Sequence, residues 1–118
     1  MSQHILSKDQ KELIKKKREE ILEELRAYFI DAEHHMTTEE IVEKVFNDTD
    51  EEFEDYVLLL AAGNPDMEIA QELAMELFNY FPRTSLDGKS YAETLQFDEL
   101  KKMETVFQNF KNGITTNN

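Results

Sequence analysis

Residues 53–82 read FEDYVLLLAAGNPDMEIAQELAMELFNYFP, and this stretch decides the fold class. It is apolar on all sides over residues 58–62, which is typical of a buried helix at the centre of a core. Asn64 and Pro65 then predict a new helix, because asparagine is a favoured cap and proline suits the first helical position. Pro82 ends that helix. The stretch therefore predicts two consecutive helices, the first of them central.

Helical periodicity and helix-capping pairs predict the other elements. Apolar residues recur at helical spacing from Ser7 to about His35, which predicts a long first helix. A serine or threonine followed three residues later by Glu or Gln is typical of a helix start, and such pairs begin at Ser7, Thr37, Thr49 and Ser90. Three glycines and two prolines are too few turn residues for a β-sandwich or barrel. We therefore predict an all-α fold, a compact single-domain bundle of five or six helices with a long N-terminal helix.

The composition indicates one domain over residues 1–118, with loose ends at 1–6 and 114–118. With 40% hydrophobic residues, the chain can bury enough apolar surface to offset the entropy lost on folding. The absence of cysteine excludes disulfides, thiolate nucleophiles and cysteine-based zinc sites. No apolar run approaches the roughly 20 residues that span a bilayer, and the N-terminus lacks the pattern of a signal peptide. We therefore expect a cytoplasmic protein that does not bind membranes.

The negative charge is concentrated in the middle of the sequence. Residues 31–76 carry 15 acidic side chains and a single base, Lys44, whereas the other 72 residues carry 11 acids and 12 bases. The net charge of −13 is therefore a regional feature. A field of this kind repels nucleic-acid backbones and anionic membranes, and it attracts basic protein surfaces. The alternative explanation is a solvated face that only keeps the protein soluble.

We predict that the acidic middle binds a basic protein partner and that the domain is not an enzyme. One variant of this hypothesis is a nucleic-acid mimic that inhibits a DNA- or RNA-handling protein, as small phage-type inhibitors do. Glu68, Glu72 and Glu76 recur every four residues and are expected to form one acidic ladder along a helix. The predicted partner-binding residues are Glu39, Glu43, Asp50, Glu51, Glu54, Asp55, Glu68, Glu72 and Glu76.

No arrangement in the sequence indicates a reaction or direct nucleic-acid binding. Ser85 and Ser90 lack the context of an activated nucleophile, and no glycine-rich phosphate loop occurs. The basic run from Lys15 to Arg18 has no accompanying aromatic residue, and glutamates flank it on both sides. We therefore predict no catalytic residues, no cofactor and no direct contact with nucleic acid.

The one candidate metal site lies at the predicted end of the first helix. If this helix reaches His35, Asp31 and His35 stand one turn apart, so that a carboxylate and an imidazole could bind one ion. Adjacent His34 and His35 point about 100° apart on a helix, so the two rarely bind the same ion. The alternative is a solvated helix end, where cationic side chains interact favourably with the negative end of the helix dipole. We favour the solvated end and keep metal binding as the alternative function.

The length of the first predicted helix indicates self-association. About 28 helical residues extend about 42 Å, which is more than the roughly 27 Å expected across a chain of this size. We therefore expect Leu13 and Ile14 to lack partners within the chain, and Ile21 and Leu22 to be only partly covered. An antiparallel second copy would cover these four side chains in a homodimer. The alternative is a helix start that frays or folds back onto the last helix.

Residues 72–95 read ELAMELFNYFPRTSLDGKSYAETL. The pattern from Asn79 to Glu93 resembles the segment between two helices in small bacterial proteins that carry a SEC-C zinc motif, where Asn-Thr-Pro usually stands in place of Tyr80-Phe81-Pro82. The resemblance implies a bacterial or phage origin and a helical accessory module. SEC-C zinc ligands are cysteines and a histidine, and this chain has no cysteine, so no metal site is carried over.

Overall fold

The computed structural model describes residues 6–50, 52–62 and 67–115, apart from the side chains of residue 50 and residues 112–115. Regular structure in this part of the chain consists of six α-helices and two short 3₁₀ turns. The helices are α1 (Lys8–Asp31), α2 (Thr38–Phe46), α3 (Phe53–Ala61), α4 (Glu68–Tyr80), α5 (Tyr91–Thr94) and α6 (Phe97–Thr115). The 3₁₀ turns are Asp48–Asp50 and Thr84–Leu86. The predicted all-α bundle with a long first helix is confirmed.

Helix α4 forms the centre of the core and contacts α1, α2, α3 and α5. Its buried residues include Ala70, Leu73, Ala74, Leu77 and Tyr80. The two alanines let neighbouring helix backbones approach closely, and the larger side chains fill the space between the helices. Four other helices complete this core with Ile21, Leu25, Ile41, Val45, Leu60 and Leu100. The α4 packing therefore fixes where the other helices can lie.

Helix α3 packs on one side of α4 and not at the centre of the core. Val57 and Leu60 are buried as expected, but 59% of Leu58 is exposed. Ile69 in the first turns of α4 is also exposed (51%). A helix covered by a neighbour on one side buries one stripe only, whatever the hydrophobicity of its other faces. The prediction that residues 58–62 form a helix buried all round was therefore wrong.

Helix α1 ends at Asp31, one turn earlier than predicted. Glu33 adopts a left-handed backbone conformation (φ 51°), which cannot continue a right-handed helix. The His34 side chain then fixes the loop, because its Nδ1 accepts a hydrogen bond from the Met36 amide at 3.0 Å. Its Nε2 lies 3.0 Å from the Leu59 carbonyl oxygen in α3 and is the donor, since a carbonyl only accepts. One histidine therefore joins the loop after α1 to α3.

The start of α1 packs against the rest of the domain and does not project. Gln10 is buried, and its Nε2 donates hydrogen bonds to the carbonyl oxygens of Leu95 at 2.7 Å and Ala92 at 3.3 Å. One turn later, Ile14 is only 3% exposed. The 24 residues of α1 extend about 36 Å, and both ends of this length have partners. The expectation of an overlong, unsupported helix start was wrong.

Two of the four predicted capping boxes form completely. The pairs Thr37–Glu40 and Ser90–Glu93 each exchange both side-chain to backbone hydrogen bonds. The Ser7 side chain accepts the expected hydrogen bond from the Gln10 amide. The Gln10 side chain does not return the second bond of the box, because it binds the Leu95 carbonyl oxygen instead. The cap at Thr49 was wrong, because Thr49 lies inside a 3₁₀ turn and α3 begins after Glu52.

A short break separates α5 from α6. Helix α6 begins at Phe97 and continues to Thr115. Residues 114–115 are therefore helical and not part of a loose tail as predicted. The predicted cap at Asn64 and Pro65 lies outside the described residues. The same holds for the termini at 1–5 and 116–118.

Asp48 joins the turn after α2 to the connector after α4. Only 8% of this residue is exposed. Its carboxylate accepts hydrogen bonds from the Ser85 amide at 3.0 Å, from the Ser85 hydroxyl and from the Thr84 hydroxyl at 3.2 Å. Arg83 adds an ion pair at 3.5 Å. Burial alone would raise the pKa of Asp48, but the hydrogen bonds outweigh it and hold the pKa below its usual value. Asp48 therefore acts as an internal anchor and not as a surface acid.

Replacing Asp48 with alanine should lower the free energy of unfolding by about 2 kcal/mol, because the donors of Thr84 and Ser85 lose a charged acceptor. Urea unfolding at neutral pH measures this change. The matched control is Glu54→Ala, which removes an exposed acid in α3 and should change stability by no more than about 0.5 kcal/mol. Equal effects of the two substitutions would show that Asp48 is not an anchor.

Candidate functional site

Exposed carboxylates lie on α2, on α3 and its N-terminal flank, and on α4, and we call these side chains the acidic region. They are Glu39, Glu40, Glu43, Glu52, Glu54, Asp55 and Glu68. Most of them occupy first helical turns, where acids are stabilised by the positive end of the helix dipole. The only base among residues 31–76 is Lys44, which is also exposed. The acidic middle of the sequence therefore reaches the surface on three helices.

Some of the predicted partner-binding acids lie in this region and others do not. The exposed ones are Glu39, Glu43, Glu54, Asp55 and Glu68. The side chains of Asp50 and Glu51 lie outside the described part of the chain. Glu72 is half-buried, and Glu76 is only 1% exposed. Each step of four residues turns a helix by about 40°, so the expected ladder rotates from solvent at Glu68 into the core at Glu76.

An apolar groove of about 290 Å³ lies between α3 and the start of α4, and Glu54 of the acidic region is part of its lining. We call it the α3–α4 groove. Phe53, Val57, Leu58 and Met67 line it, with Glu54 at its polar edge. This groove was not predicted from the sequence, because Leu58 lies in a run that is apolar on all sides and was expected to be buried. The available signal was that Leu58 falls outside the stripe formed by its buried neighbours.

A larger groove of about 610 Å³ lies between α4, α5 and α6, and we call it the α4–α6 groove. Its apolar lining includes Met75, Leu95, Met103, Val106, Phe107 and Phe110, and Glu99 and Lys102 also border it. Val106 is 67% exposed and Phe110 is 40% exposed. Sequence reasoning missed the groove, although Val106 lies beside the buried stripe of α6.

A buried polar network connects α1, α4 and α6. The Lys17 ammonium lies 2.8 Å from Glu104, and the Tyr80 hydroxyl donates to the same carboxylate. Burial opposes the charged form of Lys17, but Glu104 outweighs it and raises the pKa of Lys17. Burial and then Glu104 raise the pKa of Tyr80 well above its usual value. Burial opposes ionisation of Glu104, but hydrogen bonds from Lys17, Tyr80 and Gln108 lower its pKa.

Glu76 lies beside this network and is the most perturbed carboxyl group. Neither of its oxygens has a hydrogen bond of good geometry among the described residues, and the Lys111 ammonium is 3.8 Å away. Burial, and then the nearby Glu24 carboxyl, raise the pKa of Glu76 to about 7. The charges of Lys111 and Lys17 oppose this shift but do not cancel it. Glu76 is thus an internal ionisable group that titrates near neutral pH.

Two bases of the run from Lys15 to Arg18 make contacts between helices of the domain. Lys17 is 7% exposed and pairs within the network. Arg18 lies 2.8 Å from the Glu93 carboxylate and donates to the Tyr80 carbonyl oxygen at 2.6 Å. These contacts hold α1 against the end of α4 and the start of α5. The run therefore does not present its full charge to the solvent.

The ionisable groups with strongly shifted pKa values do not line either groove. Glu76, Tyr80 and Glu104 line neither the α3–α4 groove nor the α4–α6 groove. Catalytic acids and bases are usually perturbed groups that face a cleft. The network is instead arranged as internal pairing between helices.

The premise of the predicted metal site does not hold. Asp31 is the last residue of α1 and His35 lies in the loop between α1 and α2, so the two are not one helical turn apart. The ring nitrogens of His34 both contact backbone groups. Among the described residues, no group of three or more acidic, histidine or cysteine side chains is placed to hold a metal ion.

The four side chains predicted for self-association have partners inside the chain. Ile14 and Ile21 are buried in the core, and Leu13 and Leu22 are partly buried against it. The reason is that α1 packs along α4 and that its start is bound to the α5 region through Gln10, which the sequence pattern does not show. The homodimer remains a prediction, but α1 does not offer the exposed apolar surface expected for it.

Comparison with known proteins adds no relative. No protein family, curated protein or solved structure matches the chain. The local resemblance at residues 72–95 therefore stays a prediction. Within the described residues, no helix combines the length and the apolar character needed to cross a membrane.

The fold should become more stable as the pH falls from about 8 to about 5. With a pKa of about 7 in the folded chain, against 4.5 for an ordinary glutamate, Glu76 binds its proton more tightly when folded. Protonation therefore favours folding, and this contribution is lost as the pH rises through 7. The pKa of Glu72 is raised in the same direction, first by burial. Urea unfolding at several pH values across this window measures the trend.

The variant Glu76→Gln should remove most of this pH dependence and be the more stable protein at about pH 8. The acids with lowered pKa, namely Glu39, Asp48, Glu93 and Glu104, titrate below the window and do not interfere. Glu68→Gln, on an exposed position of the same helix, is the control and should keep the pH dependence. If Glu76→Gln keeps it as well, Glu76 is not its source.

Proposed function

We propose that this domain binds a basic surface of another protein through the acidic region, with an apolar side chain of the partner in the α3–α4 groove. The observation that carries the proposal is the groove itself. Leu58 is 59% exposed at a groove bordered by Glu54 and close in sequence to the other acids of α3. Apolar anchors within a polar border are typical of binding surfaces.

The charge distribution supports a basic partner. Residues 31–76 contain a single base, and the exposed acids of three helices act in the same direction on an approaching charge. Such a field raises the association rate with a positive surface and discriminates against negative ones. Asp48 and Glu76 are buried and paired or shielded, so the exposed acids are the side chains that a partner can contact.

Binding, and not catalysis, is the activity we propose. The ionisable groups with the largest pKa shifts are used in contacts between helices, and the two grooves are lined mostly by apolar side chains. A groove of this kind supplies contact area and shape, which is what a partner needs. We place the encounter in the cytoplasm, as expected from the sequence.

Reversing the charge of Glu43, Glu54 and Glu68 to lysine should lower the association rate with the partner by about tenfold or more at low salt. The partner is first captured from an extract of the cells that produce the protein, and the rates are then measured with purified components. The effect should shrink as the salt concentration rises, because salt screens exposed charges.

The matched control reverses three exposed glutamates of α1, namely Glu12, Glu19 and Glu23. It changes the net charge by the same amount at another place on the surface. A smaller effect in the control supports binding at the acidic region. Equal effects would show that the partner responds to the net charge only, and an unchanged rate in both would refute the proposal.

Replacing Leu58 with glutamine should mainly raise the dissociation rate of the same complex, because the groove contact forms after the charges have met. Since most of Leu58 is exposed, the stability of the free domain should change little. Ile30→Gln is the control, because Ile30 is 72% exposed on α1, away from this groove. An unchanged dissociation rate in Leu58→Gln would remove the groove from the proposal.

A competition experiment separates the two kinds of basic partner. If short duplex DNA releases the domain, the partner surface is one that binds nucleic acid, and the domain acts as a nucleic-acid mimic. If DNA has no effect while the charge reversal still weakens binding, the partner uses another basic surface.

A further inference from the structure

The α4–α6 groove is the larger of the two apolar grooves described above. Three of its side chains are large hydrophobic residues with substantial exposure: Val106 (67%), Phe110 (40%) and Tyr91 (41%). A groove of about 610 Å³ with exposed aromatic and aliphatic walls is costly to leave in water. The acidic region does not include it, so the proposed function above does not account for it.

The charge around this groove differs from that of the acidic region. From residue 77 to residue 118 the sequence contains equal numbers of acids and bases. The acids are Asp87, Glu93, Asp98, Glu99 and Glu104, and the bases are Arg83, Lys89, Lys101, Lys102 and Lys111. A second copy of the chain can therefore approach this side without the repulsion that the net charge of −13 would cause elsewhere. A strongly basic partner would gain no net electrostatic attraction from binding to this side.

We propose that the α4–α6 groove is the interface of a homodimer, in which α6 packs antiparallel to α6 of a second copy. A two-fold interface requires one patch that is complementary to itself. This groove provides such a patch, because it contains both exposed apolar side chains and the cavity that can receive them. The interface is independent of the acidic region, which stays free for another partner.

Glu99 and Lys102 make the charges of this surface self-complementary. They lie one turn apart on α6, and both border the groove. In an antiparallel pair centred between them, Glu99 of each copy faces Lys102 of the other, so that two ion pairs of the same kind form. A parallel pair would set like charges against each other at these positions.

The same arrangement gives the exposed phenylalanine a place to bind. Phe110 lies between nine and ten residues from the proposed two-fold axis, or about 14 Å along α6 at about 1.5 Å per residue. On the second copy this distance ends beyond the start of α6 at Phe97, and Tyr91 and Leu95, which precede α6 in the chain, line the groove. Each Phe110 would thus fill part of the cavity of the other copy, and its exposed ring surface would be buried.

Sedimentation of the full chain from about 5 to about 200 µM measures the dimer directly. We expect a concentration-dependent shift from a species of 13.9 kDa toward one of twice this mass. Val106→Asp should raise the dimer dissociation constant by about tenfold or more, since it places a charge in the buried interface. Because Val106 is exposed in the single chain, the variant should stay folded by circular dichroism.

The matched control is Ile30→Asp, which adds the same charge at an exposed apolar residue of α1 outside the groove. It should leave the dissociation constant within about threefold of the unmodified chain. A wild-type chain that stays at 13.9 kDa up to about 200 µM overturns the proposal. Equal effects of Val106→Asp and Ile30→Asp overturn it as well, because the interface would then lie elsewhere.

A charge-swap cycle tests the antiparallel arrangement. Glu99→Lys and Lys102→Glu should each weaken the dimer, and the double variant should restore it, since the two ion pairs then form with exchanged signs. Glu99 also accepts a hydrogen bond from the Gln96 amide at the start of α6. The double variant lacks this bond too, so restored dimerisation can come only from the intermolecular pairs. A double variant as weak as the single ones overturns the antiparallel arrangement.

Discussion

The packing of α4 against four other helices is the constraint on which the rest of the structure depends. Ala70 and Ala74 have side chains small enough for neighbouring backbones to come close, while Leu73 and Leu77 fill the remaining space. Other helices cover most sides of α4, so α3 packs against only one side of it. The opposite face of α3 stays exposed to solvent. The exposure of Leu58, and with it the α3–α4 groove, follows from this arrangement.

The same central position explains the buried polar network. Lys17 of α1 and Glu104 of α6 lie beside Tyr80 of α4, so the helices that surround α4 bring charged groups into the core. Lys17, Tyr80 and Glu104 satisfy one another there, so the loss of hydration is largely offset. Glu76 is less well satisfied, and the lowest-energy response of such a group is to keep its proton up to neutral pH. The core thus gains a pH dependence from one carboxyl group.

The surface divides into two parts with different physical character. The acidic region combines many exposed carboxylates with a small groove, which suits a partner of opposite charge. The side formed by α5 and α6 has balanced charges and a larger groove, which suits a second copy of the chain. Because the two proposed interfaces share α4 but use different residues of it, a dimer would present two acidic regions at once. Such a dimer would bind a partner with repeated basic sites more tightly than one chain does, through the effective concentration of the second site.

The sequence by itself determined the all-α class, the capping boxes at Thr37 and Ser90, and the regional charge, because each depends on residue type or on contacts within one helical turn. The tertiary structure decided which apolar and charged residues are covered. Gln10 is bound to residues more than 80 positions away, and Asp48 to residues more than 30 positions away. Periodicity along one helix carries no information about such partners. For this reason the sequence pattern predicts that Glu76 belongs to an exposed acidic ladder, whereas it is buried. The pattern likewise predicts that Leu58 is a core residue, whereas it is exposed. Which face of a helix is covered depends on its neighbours, and these are fixed only when the whole chain has packed.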